Sequence, residues 1–389
     1  MASKPEVAAL GVGDSVGAVI ALIVAYGWPL TGPARVAHRS SGRALREYAL
    51  SLAPRFLIVV IAFVPGVLVV AALAPSGEAI LSILSLSAGA VMGLSPSWYF
   101  IGRGDSARLA LYETLPRMAA GVVALGLVFW THDPIWYPAS MLVGTAAAQA
   151  AFSWRSGALK WLRKGSTWRR ASHDLRLETP AALAMVAGGA YSSATVGLVA
   201  VGGSVGVVAV YGMADRLFKA SLTAIVSAAN AVQGWVSEDP RHSEVRARAR
   251  RAVLILGIVG AVGAAGIAAL GPTVTAWFFG PSYRIDYVTS SALGLAFLAV
   301  ALSTGFGRMV LVPVGRVRLV TASTIVGAVA GVPAIIVASA VFGVRGAAIA
   351  FGASEVLVTL VQLCGLLVGR MRDPGSSRNH LEPSIPTKG

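Results

Sequence analysis

The chain is poor in the groups that side-chain chemistry usually needs. Its 389 residues include a single cysteine, Cys364, so no intramolecular disulfide or thiolate metal cluster can form and no dithiol is present for redox chemistry. The five histidines, at 38, 132, 173, 242 and 380, have no metal-ligand spacing. No Walker motif is present, which argues against direct ATP hydrolysis. Charged residues make up only 13% of the chain, and acids are the scarcer sign, 17 against 32 Lys and Arg. What fills the chain instead is apolar: 56% hydrophobic residues, with a mean hydropathy of +0.73, lies far from the balance of a soluble domain.

Long stretches rich in Gly, Ala, Leu and Val reach the roughly 20 residues that a helix needs to cross a bilayer. They predict eleven spans: Val7–Leu30, Leu52–Ala74, Ala79–Ile101, Leu115–Trp130, Pro134–Trp154, Leu177–Val201, Val207–Trp235, Arg251–Gly271, Thr289–Leu311, Leu319–Phe342 and Gly346–Gly369. The N-terminus has neither a basic n-region nor a cleavage site, so the first span is expected to stay in the protein.

The net charge of +15 follows topology. Alternate loops and the C-terminal tail hold 27 of the 32 basic residues, among them Arg35, Arg39, Arg43, Arg46 and Arg55 after the first span and Arg103, Arg108 and Arg117 after the third. The intervening segments hold Lys4, Arg284 and Arg345, and Arg216 and Lys219 lie inside a span. This positive-inside pattern predicts a multi-pass protein with its C-terminus in the cytoplasm. Nucleic acid is not an expected partner, because no basic patch alternates with stacking aromatics in a soluble module.

Two Gly-Arg corners, Gly102-Arg103 before Arg108-Leu109 and Gly315-Arg316 before Arg318-Leu319, suggest a parallel repeat about an axis along the membrane normal. The expected organisation is an N-lobe of five spans (1–154), a basic cytoplasmic linker (155–176), a C-lobe of six spans (177–370) and a disordered cytoplasmic tail (371–389). Two equal lobes need twelve helices, so a helix is expected before Val7, which points to a late start codon or a naturally shortened chain.

Four stretches carry a family resemblance: Ser95-Pro96-Ser97-Trp98-Tyr99-Phe100-Ile101-Gly102, with Ile101 where the family usually has Gln; Tyr211-Gly212-Met213-Ala214-Asp215-Arg216-Leu217; Phe278-Phe279-Gly280-Pro281-Ser282-Tyr283; and Gly343-Val344-Arg345-Gly346 with Ser354-Glu355. In this order they resemble the bacterial polysaccharide-transporter, or O-antigen-type flippase, branch of the multidrug/oligosaccharidyl-lipid/polysaccharide exporter superfamily. The resemblance implies an all-α membrane fold of two lobes around a central cavity. It implies a flippase of the bacterial cytoplasmic membrane that carries polyprenyl-diphosphate-linked oligosaccharide outward for surface polysaccharide biosynthesis. It implies no cofactor, and it names the lipid-linked sugar, membrane lipids and glycosyltransferases or a polymerase of the same pathway as partners.

Within the spans the ionisable residues are few, and each is costly in hydrocarbon. Asp215 and Lys219 are four apart, on one helix face, where they can pair, while Arg216 points about 100° from Asp215. Arg216, with Lys219, is a candidate clamp for the diphosphate; the competing reading has both side chains snorkelling to the interface. The residues leave both readings open, and the resemblance favours the cavity for Arg216. Asp215, Glu355 and Asp14 are candidate coupling carboxylates, with an outer-interface position or a helix–helix hydrogen bond as the simpler reading of Asp14. Arg103 and Arg108 are candidates for the cytoplasmic entry, where topology alone also explains basic residues. Trp98, Tyr99 and Phe100 are expected to form an interfacial aromatic belt. A membrane glycosyltransferase is disfavoured because the largest interior loop carries only Asp174 as an acid. A cation-driven drug or metabolite exporter and an inactive partner of a glycan-export assembly remain as rivals.

Overall fold

The computed structural model describes residues 3–37, 39–162, 175–176, 178–179, 181–183, 185–186, 189–237 and 242–372. Most of the expected basic linker and nearly all of the expected tail lie outside the described residues. Among the described residues the structure is helical, with no strand.

A capping box of Ser3 and Glu6, with Pro5 in the first turn, starts α1 (Lys4–Ala25). The helix stops at Tyr26 and Gly27, both left-handed at φ 44° and 82°, and α2 (Trp28–Ala37) continues the pass. A side chain at Gly27 would meet Ala181 and Ala182 at 2.9 Å, so the break also lets a neighbouring helix approach. Next comes α3 (Ser41–Leu73), whose Val60, Ile61, Val64 and Leu68 are exposed, as a lipid-facing surface requires. The third pass is α4 (Ala79–Val91), a 3-10 turn at Met92–Leu94 and, after Pro96, α5 (Ser97–Arg103). The fourth is α6 (Ser106–Leu109), a π turn at Ala110–Thr114 and α7 (Leu115–Thr131); the fifth is α8 (Trp136–Arg155).

The second lobe contains α9 (Thr195–Gly202), the end of a sixth pass described only in part. It continues with α10 (Val205–Ser237), α11 (His242–Phe279) and α12 (Tyr287–Thr304), which runs into a π turn at Gly305–Leu311. The long α13 (Val317–Arg372) is two passes joined at Gly343, where φ 60° and ψ −138° break the helix. Seven of these segments are long and apolar enough to cross a membrane, the last covering both passes of α13. The helices α8 and α10 are more polar, carrying Thr145 and Gln149, and Asp215, Arg216 and Lys219. The chain is a multi-pass membrane protein of two helical lobes.

Two expectations are corrected here. Arg55, read as a loop residue, is an interior residue of α3 that is 1% exposed. The turn between α4 and α5 frees backbone carbonyls that need donors, and the Arg55 guanidinium bonds Gly93 O (Nε at 3.1 Å, and Nη2) and Ser95 O (2.9 Å). Trp98, Tyr99 and Phe100 are not an interfacial belt, being 2%, 6% and 0% exposed. They pack with Tyr48 and Phe152 into one buried aromatic cluster, with ring centroids 4.7 Å apart for Phe100 and Phe152. Gly32 of α2 makes room for it, since a side chain there would run into the Trp98 ring.

The lobes meet along α1, where small residues allow close approach. Ser15 Oγ donates to Ser193 O at 2.8 Å and accepts from the Gly197 amide at 3.1 Å, and Tyr26 Oη lies 3.1 Å from Thr179 Oγ1. Fully buried Glu178 accepts from Thr31 Oγ1 at 2.7 Å and pairs with Arg35 of α2. At the opposite end, Asp286 caps α12 by accepting from the Thr289 amide at 2.8 Å, and it pairs with Arg345 beside the break in α13.

Partial burial pushes the Asp286 carboxyl up, but the Thr289 hydrogen bonds and Arg345 outweigh it and hold the group below the usual carboxylate range. Its stabilisation is therefore present above the ordinary carboxylate pKa and is lost as pH falls through the depressed one. Asp286→Ala is expected to lower stability near neutrality by about 0.5–2 kcal/mol, as a lost cap does. Thermal midpoints of variant and wild type should converge at acid pH. A methyl at Gly17 would lie 2.7 Å from Leu86 O in the α1–α4 contact. Gly17→Val should cost about 1–3 kcal/mol by overpacking, read as a lower midpoint in detergent.

Candidate functional site

A cavity of about 160 Å³ lies in the first lobe among α1, α4, α7 and α8, lined by Asp14, Met92, Arg117, Tyr137, Met141 and Thr145, with Ala88, Gly89 and Pro138. Asp14 reaches it from the middle of α1, two turns beyond the point where the helix begins to pack. There the Ser85 hydroxyl of α4 donates to its Oδ1 at 2.5 Å, while Oδ2 accepts from Arg216 Nη2 at 2.5 Å. The guanidinium lies over the Tyr137 ring, its Cζ 5.5 Å from the centroid. One carboxylate and one guanidinium from different lobes thus close an ion pair at the cavity edge, within the apolar length of the helices.

That pair changes the position of Arg216 relative to its sequence neighbours. The helical spacing turns Arg216 away from Asp215, and its counter-ion comes instead from α1, on the other lobe. Asp215, 3% exposed, has its own partners: Lys219 Nζ at 2.7 Å and Thr195 Oγ1 at 3.0 Å. Lys219 Nζ also lies 3.5 Å from Ser193 O. Asp215 and Lys219 therefore form a second, self-contained group one turn along α10, held to the sixth pass.

Glu355 is separate from both. It sits on the second half of α13, 8% exposed, next to Ser354, whose hydroxyl bonds Tyr191 Oη. Among the described residues its carboxylate meets no hydrogen-bond or ion-pair partner.

The two candidate entry arginines differ. Arg103 is engaged, with Nη1 donating to Arg39 O at 2.7 Å and Nη2 to Ser41 Oγ at 3.2 Å, so it ties the α2–α3 corner to α5. Arg316, at the equivalent Gly-Arg corner of the second lobe, reaches a backbone carbonyl of α13, Gly365 O at 3.3 Å. Arg108 is the more available cation, its side chain 61% exposed and 3.4 Å from Asp105.

Sequence reasoning missed Arg117, Tyr137 and Thr145. Arg117 had been counted among loop cations, whereas the π turn carries the helix back to Ser106 and sets Arg117 on a cavity wall. The available signal was Glu113, four residues earlier on the same face, at 3.5 Å from Arg117.

No protein-family model matches the chain, and no curated protein matches it by sequence. Solved structures do. The chain is similar to an inward-facing multidrug-resistance MATE family transporter of the MOP superfamily, at 16% identity over 96% of this chain and 95% of that one, with a TM-score of 0.64. It is similar to the lipid II flippase MurJ in an inward closed conformation, at 13% identity over 93% of this chain and 86% of that one, with a TM-score of 0.68. A MOP superfamily transporter from Pyrococcus furiosus shares 17% identity over 95% of this chain and 85% of that one, with a TM-score of 0.58. The fold is that of MOP-superfamily transporters.

A double-mutant cycle on Asp14→Asn and Arg216→Gln is expected to give a coupling of about 1 kcal/mol in thermal or denaturant stability. This is above the median of an exposed pair and below a fully buried one, because both side chains stay about a third exposed. The same cycle on Asp14 and Lys219 should give additive effects.

Proposed function

We propose that this protein is a flippase that moves polyprenyl-diphosphate-linked oligosaccharide from the cytoplasmic to the outer leaflet of a bacterial cytoplasmic membrane. The observation that carries the proposal is the Asp14–Arg216 pair, which joins the lobes at a cavity within the apolar depth. The likeness to MurJ, a flippase for lipid II by its name, supports a lipid-linked cargo, as do the family-like stretches around Trp98 and Arg216.

The physical task is clear. Sugar hydroxyls lose water on entering hydrocarbon, at about a few kcal/mol for each one left unpaired, so unassisted crossing is very slow. In this proposal the lobes part at the Asp14–Arg216 contact, beside the first-lobe cavity, to open a path that shelters the sugar and diphosphate while the polyprenyl tail stays in lipid. Guanidinium suits phosphate oxygens because its planar fork donates two parallel hydrogen bonds. In this mechanism the diphosphate competes with Asp14 for Arg216, the pair across the lobes breaks, and the lobes rock to expose the cavity to the other side. With the cytoplasm negative, two uncompensated negative charges moving outward gain about 4–5 kcal/mol per 100 mV. Arg108 supplies positive potential at the entry, and Lys219 stays with Asp215.

A second reading, a cation-coupled drug or metabolite exporter, is favoured by the buried and unpartnered Glu355 and by the likeness to MATE transporters. It differs in what Glu355 must do. In an exporter Glu355 binds the coupling proton or cation, and transport stops in Glu355→Gln; in a field-driven flippase that variant keeps most of its rate.

Purified protein in liposomes, supplied with a fluorescent polyprenyl-diphosphate sugar, tests the proposal. Wild type is expected to flip the lipid, faster with an inside-negative potential when the substrate starts in the inner leaflet. Arg216→Ala should fall at least about tenfold, the loss of one charge-assisted contact. No flipping by wild type, together with drug efflux that depends on Glu355, overturns the flippase reading in favour of the exporter.

A further inference from the structure

One cation, Arg117, lines the cavity, and a second, Arg216, reaches its edge through Asp14 and Tyr137; the two are not equally engaged. Arg216 is held by Asp14 at 2.5 Å and lies over Tyr137. Arg117, which lines the cavity, has weaker partners: its Nη2 is 3.5 Å from Glu113 Oε1 and 3.3 Å from Met92 Sδ, and a thioether is a poor acceptor. Glu113 is itself engaged, since both its oxygens accept from the Ser95 hydroxyl at 2.6 Å. The Arg117 side chain remains 45% exposed, with most of its five N–H donors uncommitted. A guanidinium within an apolar span is costly when its donors lack partners, a cost that an anionic ligand would offset.

The walls around Arg117 are mixed. Met92, Met141, Pro138 and Ala88 are apolar, and Thr145 and Tyr137 bring hydroxyls to the same space. A cation with free donors beside flexible thioether side chains fits an anion that carries a hydrocarbon chain better than a free inorganic anion.

We propose that Arg117 is the residue that first takes the substrate's diphosphate, while Asp14 still holds Arg216 and the lobes are shut. The assignment rests on the flippase reading and adds the order of events: the anion docks on Arg117, then draws Arg216 away from Asp14. The shared chemistry is a diphosphate, and a free pyrophosphate and a prenyl diphosphate are its two sources.

Three probes, farnesyl diphosphate, inorganic pyrophosphate and farnesol, are titrated onto the purified full chain in detergent. Wild type is expected to bind farnesyl diphosphate more tightly than pyrophosphate, and farnesol not at all. Arg117→Gln should weaken farnesyl diphosphate at least about tenfold, and Arg117→Lys should weaken it less, since the charge is kept and the fork is lost. Modification of Arg117 by phenylglyoxal, read by mass spectrometry on unmutated protein, should be slowed by farnesyl diphosphate, a readout that does not depend on a variant folding. Wild-type binding that is indifferent to Arg117→Gln, with no protection from phenylglyoxal, overturns this assignment and leaves the flippase reading standing. Pyrophosphate binding as tightly as the prenyl form overturns the amphiphile and makes the site one for free phosphates. Absence of diphosphate binding in wild type overturns the assignment and the flippase reading together.

Discussion

A polar group that lies within the apolar length of these helices is costly unless it finds a partner inside the protein, because hydrocarbon offers none. This constraint organises the molecule. Arg55 is buried where the break between α4 and α5 frees two carbonyls. Asp215 is buried where Lys219 and Thr195 meet it. Asp14 and Arg216 meet across the lobes because neither has a sufficient partner on its own helix. In the first two cases the bond closes within one lobe and stabilises a fixed structure. In the third it joins two bodies, so the same physics that satisfies the charges also sets whether the lobes are together.

Small residues let the two lobes approach closely at that junction. Along α1 the contact with the second lobe includes Gly11, Ser15, Tyr26 and Gly27 against Val196, Gly197, Ser193, Thr179 and Ala181, beside Val12, Ile20 and Val24, which share one buried cluster with Tyr191, Val199 and Tyr211. Close backbone approach gives dispersion contact over a smooth surface, and hydrogen bonds from Ser15 and the Asp14–Arg216 pair fix the register. The aromatic cluster of Trp98, Tyr99, Phe100, Tyr48 and Phe152 lies within the first lobe and packs α3, α5 and α8 together.

Much of this was legible in the sequence. Apolar length located the passes, since hydrophobic runs of about 20 residues have few other uses. The spacing of Asp215 and Lys219 placed them on one face, where they pair. What stayed hidden depended on contacts distant in the chain. Arg216 and Asp14 are 202 residues apart, so helical periodicity could show where Arg216 does not point but not what it meets. Arg55 and Arg117 were counted as loop residues because proximity to a charged corner looks the same for a solvated arginine and a buried one. The aromatics at 98–100 match an interfacial belt equally well, until Gly32 brings α2 over them. The family-like stretches around Trp98 and Asp215 proved to lie at packing and pairing positions, which accounts for a recognisable pattern without fixing a substrate.

The central claim is that the contact between the lobes along α1 must open for transport. A Cβ built on Gly197 lies 3.8 Å from Ser15 Cβ, the usual separation across a disulfide. The most direct measurement is therefore lipid flipping by Ser15→Cys/Gly197→Cys protein, in a Cys364→Ser background, before and after oxidation. The account predicts that oxidation stops flipping and that reduction restores it, whereas undiminished flipping by fully cross-linked protein would contradict it.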